Sequence, residues 1–178
     1  MKRSVLIVLV AMAALLAGIL SRQHPQLAQP MQNQPLLDFS FPDVAGAPHS
    51  ITEWQGKLLI INFWATWCPP CLKEIPVFVE LQEHYANHGV QFIGIAIEDR
   101  AVIEEFMANN KINYPMLAGE NAAISISQKL GNLVNAVPFS IVVNRQNQII
   151  LIHPGEFNKQ QLTKIIENEL NSTVLNHQ

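Results

Sequence analysis

Cys68 and Cys71 are the only thiols in this 178-residue chain, and two prolines, Pro69 and Pro70, separate them. Cysteines so spaced can form a structural cross-link, supply half of a soft-metal site, or exchange disulfides with another molecule. A cross-link over so short a gap removes little chain entropy and therefore stabilises little. A metal site needs further ligands, and no second cysteine pair is available. His84 and His88 have the i, i+4 spacing of a helical metal pair, but they lie about thirteen residues past Cys71, roughly 20 Å at 1.5 Å per residue, so they cannot share an ion with the thiols. His88, just before Gly89, is better placed as a favourable charge at a helix C-terminus. Exchange is the reading this spacing favours, with one sulfur attacking and the other resolving the mixed disulfide.

The elements that must position this pair can be read from the flanking pattern. An apolar run over 58–63 predicts a buried strand, and helical spacing follows Cys71. The dithiol then sits where a strand ends and a helix begins. There Cys68 is expected to face free backbone N–H groups and the positive end of the helix dipole, which favour a thiolate, while Cys71, one turn further in, is expected to be more shielded. Glu74, three residues past Cys71, falls on a neighbouring turn of the same helix face. Trp67 reads as a partly exposed apolar platform for partners, with Pro69 and Pro70 beside it as further candidates for substrate contact, and Trp64 reads as core.

Lys2 and Arg3 precede an uncharged run over 4–20, and Arg22 follows it. That length is at the lower limit of about 17–25 residues for a spanning helix. With no clear cleavage spacing after Leu20 and no cysteine there for lipidation, an uncleaved signal anchor over 1–22 is expected. The positive flank keeps this end cytoplasmic and sends the rest outward, in a bacterium to the periplasm on the inner membrane. Removing Lys2, Arg3 and Arg22 leaves 8 of the 11 basic residues against 14 acidic ones, so nothing basic remains for nucleic acid.

Residues 23–35, rich in Gln and Pro, read as a tether, and 36–178 as one domain, since the length allows one full core and not two. Along that domain the pattern predicts a short strand within 36–44, a turn at 45–48, a lead-in at 50–54 and the strand at 58–63. The helix after the dithiol should run to about 87, kinked at Pro76 and stopped at Gly89. A strand buried on both faces follows over 90–97, then Glu98 and Asp99 capping a helix over 100–110. Glu98 also emerges at the sheet edge that carries the dithiol and is a second candidate for the site, although capping is the simpler account. A short strand over 113–117, a helix over 121–130, a hairpin of 139–143 with 148–153 and a closing helix over 158–170 complete the chain. Strands alternating with helices before a terminal hairpin argue an α/β sandwich on a mixed sheet with helices on both faces.

The run Phe63-Trp64-Ala65-Thr66-Trp67-Cys68-Pro69-Pro70-Cys71, with Pro76 in the helix and Val137-Pro138 later, closely resembles the membrane-anchored thioredoxin-like disulfide reductases of the TlpA/ResA type. The resemblance covers about 36–170 and includes a helix and strand inserted before the proline loop, which plain thioredoxins lack. It implies a cis Val137–Pro138 bond facing the dithiol, leaving the Val137 backbone free to pair with an extended substrate. It also makes Glu74 the acid/base for the resolving thiol, the more so because Asn62 stands where thioredoxins carry a buried Asp. The activity implied is reduction of disulfides in extracytoplasmic client proteins, apocytochromes c before haem attachment being one such class, with electrons from a membrane donor. The redox-active Cys68–Cys71 disulfide would serve without any further cofactor or metal. Motif geometry leaves the direction open, so an oxidase or isomerase stays in play. So does a copper chaperone, for which His49 and His153 are the remaining ligands.

Overall fold

Three residues suffice for each strand of a small antiparallel sheet at the start of the domain, β1 (Ser40–Pro42) and β2 (Pro48–Ser50), closed by the turn expected at 45–48. The structure, a computed structural model, describes residues 33–175. The anchor expected over 1–22 and most of the tether lie outside the described residues, among which no helix is long and apolar enough to cross a membrane. The last residues of the expected tether are already part of the domain: Asn33 N–H donates to the Ile149 carbonyl and Gln34 O accepts from Ile149 N–H. After β2 comes a 3₁₀ turn, Ile51–Trp54, held by a reciprocal capping box of Ser50 and Glu53.

The central strand is β3 (Leu58–Trp64), buried at every position. It leads to α1 (Pro69–Tyr85), which passes through a 3₁₀ turn, Ala86–His88, and stops where Gly89 turns left-handed at φ 76°. Pro76 is accommodated inside α1. The order continues as β4 (Val90–Ala96), α2 (Arg100–Asn109), β5 (Met116–Ala118), α3 (Glu120–Lys129), β6 (Phe139–Val143), β7 (Ile149–Pro154) and α4 (Lys159–Leu175). β3 lies in the middle of a mixed five-stranded sheet of order β5-β4-β3-β6-β7, with β3, β4 and β5 parallel and β6 and β7 antiparallel to their neighbours. This is the thioredoxin-like arrangement, with α2 and β5 ahead of the proline loop.

Alternation along β3 divides the core. Leu58, Ile60 and Trp64 pack with Ile75, Phe78 and Leu81 of α1, Ile103 of α2, and Leu162 and Ile166 of α4. Leu59, Ile61 and Phe63 point the other way, onto Ala123 of α3 and onto Phe41 and Ile51 of the N-terminal segment. Each such side chain, fully buried, contributes about 1.5–3 kcal/mol. Gly94, in the middle of β4, leaves room for its neighbour's side chain: a Cβ there would clash with Met116 Sδ.

Candidate active site

β3 ends at Trp64, and four residues later Cys68 takes an extended backbone conformation as the N-cap of α1. Pro69 and Pro70 open the helix, where their missing N–H groups cost nothing because that end has surplus donors. The first amide available is that of Cys71, and it donates to Cys68 Sγ at 3.3 Å. A sulfur thus occupies the capping role usually taken by a Ser or Asp oxygen, and the same N–H and the dipole behind it favour a Cys68 thiolate once the pair is reduced. The pair is present as a disulfide, with Cα atoms 5.3 Å apart. In this form the expected contrast in shielding is absent: Cys68 is 2% exposed and Cys71 0%. Neighbouring Trp67 is 64% exposed.

Glu98 does not cap α2. Asp99 occupies the N-cap position without a side-chain bond, and the Glu98 carboxylate turns back across the sheet edge to Thr66. One oxygen accepts the Thr66 N–H and the other accepts the Thr66 hydroxyl at 2.9 Å. Thr66 lies two residues before Cys68, so this two-point latch fixes the loop that carries Trp67 into the dithiol.

Glu74 is fully buried, unlike a solvated first-turn glutamate. Its Oε1 accepts from Asn62 Nδ2 at 2.7 Å and its Oε2 from the Phe157 N–H at 3.0 Å. Asn62 also donates to Ser140 Oγ at 3.0 Å, its register partner on β6, so a polar file runs from β6 through β3 to α1. Burial pushes the Glu74 carboxyl up to about 7, and the two donated hydrogen bonds only partly oppose that. Burial also raises the Tyr114 phenol, and the Glu74 charge adds to the effect. The bonds to Phe157 and Ser140 were not legible from spacing, because they join residues 83 and 78 positions apart.

The Val137–Pro138 bond is cis. Register pairs Phe63 with Phe139, so the residue before β6 and the residue after β3 emerge at the same sheet end, and Val137 packs on the cluster that contains both cysteines. Among the described residues the Val137 amide and carbonyl carry no hydrogen bond. The two histidines considered for copper go elsewhere. His49 sits between Glu53 (2.9 Å) and Asp43 (3.2 Å), which raise its pKa, and His153 stacks on Phe157 at 3.8 Å between ring centres. Among the described residues no three His, Cys, Asp or Glu side chains converge into a metal-holding group.

The Redoxin family model matches residues 31–170. Thiol-disulfide oxidoreductase ResA of Geobacillus thermodenitrificans is 26% identical over 132 residues, 74% of each chain. ResA of Bacillus cereus is 29% identical over 126 residues, 70% of each. Among solved structures, a thiol:disulfide interchange protein of the thioredoxin family from Chlorobium tepidum is 30% identical with a TM-score of 0.71, covering 78% of this chain and 97% of its own. A secreted thiol-disulfide isomerase from Corynebacterium glutamicum, 18% identical over 84% of this chain and 97% of its own with a TM-score of 0.71, shares the fold.

Proposed function

Because this chain belongs to the Redoxin family, as a thioredoxin-like protein of the TlpA/ResA type, we propose that it is a thiol–disulfide oxidoreductase acting through Cys68 and Cys71. The observation that carries this reading is a disulfide capping a helix one turn from a buried carboxyl held at about 7. In the reduced protein the Cys68 thiolate attacks one sulfur of a client disulfide, forming a mixed disulfide and expelling the client's first thiolate. Cys71 then gives its proton to the Glu74 carboxylate, directly or through water, and attacks Cys68 Sγ. The client leaves with both sulfurs reduced and two electrons gained, and the Cys68–Cys71 disulfide is restored. A base with a pKa near the working pH suits that proton transfer.

Trp67, Pro69, Pro70 and the free backbone of Val137 would receive the client's extended segment. The setting we propose is the periplasm, with the N-terminal segment holding the domain to the inner membrane, a membrane thiol donor reducing the dithiol, and apocytochromes c among the clients. The uncharged run over 4–20 behind Lys2 and Arg3 and the similarity to ResA support this setting. Cys71→Ser is the test. It leaves Cys68 able to attack and removes the resolving thiol, so adducts with client proteins should accumulate and disappear on reduction. A variant that traps nothing, in a protein whose wild type binds Cu(I) tightly through both sulfurs, would establish a metal carrier instead.

A further inference from the structure

Leu133 and Val134 are 88% and 77% exposed, more than any other large apolar side chain described. They are not on a loose loop. Asn132, only 3% exposed, bonds Ala136 at both ends of its amide: its Oδ1 accepts the Ala136 N–H at 3.1 Å and its Nδ2 donates to the Ala136 carbonyl at 2.8 Å. Asn132 N–H is itself tied to the Ser127 carbonyl at 2.9 Å, and Gln128 Nε2 donates to Asn135 Oδ1 at 2.8 Å. These bonds close residues 132–136 into a rigid turn with Leu133 and Val134 outward at its tip. Two adjacent apolar side chains presented to water on a hydrogen-bonded turn offer apolar area for a partner to cover.

The place of the turn says what that is. Val137 follows Val134 by three residues, at most roughly 3.5 Å each, so the tip is within about 10 Å of the unpaired backbone beside the dithiol. Trp67, 64% exposed, follows β3 at the same sheet end and adds a second apolar side chain open to a partner there. We propose that Leu133 and Val134 form a specificity surface that receives apolar side chains flanking the disulfide of an extended client segment. This rests on the exchange reading above and narrows it. The segment pairs with the Val137 backbone and lays its apolar residues on a turn already ordered, so little conformational freedom is lost on binding.

The test uses the full-length reduced protein and three disulfides: a disulfide-bridged peptide flanked by Leu and Val, one of equal length flanked by Ser and Asn, and oxidised glutathione. In Leu133→Ser/Val134→Ser, kcat/KM should fall roughly tenfold or more for the apolar peptide, through KM, because the apolar area to be covered is gone. Rates with the polar peptide and with glutathione should stay within about twofold. Unchanged rates with the apolar peptide, or an equal loss on all three, would overturn the proposal while leaving exchange itself standing. Wild-type protein that reduces none of the three would remove the exchange reading and this one with it. Loss of binding to phosphatidylglycerol vesicles, or of a dimer in sedimentation, with peptide rates unchanged, would assign the turn to a membrane or to a second copy and overturn it too.

Discussion

The two faces of β3 are built from neighbouring residues and do opposite work. One face presents Leu59, Ile61 and Phe63 to a layer with no buried charge among the described residues, and the other interleaves Leu58, Ile60 and Trp64 with Asn62, which leads to Glu74 and the dithiol helix. The first is a dry support, whereas the second carries a carboxyl that burial pushes up to about 7 against the partial opposition of two donors aimed at it. The contrast teaches that a single strand can separate stability from chemistry by alternation alone, since successive side chains face opposite layers.

The separation breaks most visibly on the dry side. Ile61→Ala removes a fully buried side chain there and should cost about 2–5 kcal/mol, read from the denaturant midpoint. Exchange per folded molecule should be unchanged, and a matching loss of rate would show that the faces are not independent.

On the polar side the largest effect is Glu74→Gln, which keeps the shape and removes the base. Resolution should slow by about 10²-fold near neutral pH, and the rise in rate through pH 7 should vanish. Stability should report the same group. Folding raises this carboxyl from 4.5 to about 7, so its stabilising contribution is complete below 4.5 and is lost as pH rises to about 7, up to roughly 3 kcal/mol at about 1.36 kcal/mol per pKa unit. Urea unfolding between these limits should slope downward for wild type and lie flatter for the variant. A rate and pH profile identical to wild type would reduce Glu74 to a packing residue.

Asn62→Ala sharpens the contrast by taking one donor from the carboxylate. The inflection in exchange rate should move above 7 by about one unit, the size expected for one lost charge-assisted bond. A smaller effect is expected from Glu98→Ala, which opens the latch on Thr66 without touching either core. Amide exchange at Thr66 should quicken roughly tenfold, equivalent to a bond of about 1.5 kcal/mol, and Glu98→Gln should restore most of the protection. Unaltered exchange would mean that the loop is held by its flanks alone.

Much of this was legible before the structure. The run over 58–63 is continuous because β3 is buried on both faces, and the helical spacing past Cys71 follows from a single face of α1 packing inward. Glu98 was misread because local sequence offers a helix start as its nearest use, while its partner Thr66 lies 32 residues away and becomes a neighbour only when β3 and β4 pair. β1 and β2 were half seen, since three-residue strands carry too little alternation to announce a sheet. Leu133 and Val134 carry no outward mark in the sequence: their exposure, and the two bonds between Asn132 and Ala136 that close the turn around them, exist only in the folded chain.

The chain enters the domain at the opposite pole from its dithiol. Asn33, Gln34 and Leu36 bond to residues 147 and 149, at the hairpin end of β6, while Pro138 and the cysteines lie at the other end of a strand whose five residues span roughly 17 Å. A pull transmitted through the residues before Asn33 therefore meets the hairpin backbone at residues 147 and 149 first, and none of these bonds is made to the Cys68 turn. Under the anchoring proposed above, handle and tool lie at different ends, and the domain can be tilted or crowded at the one without a direct bond passing the strain to the other.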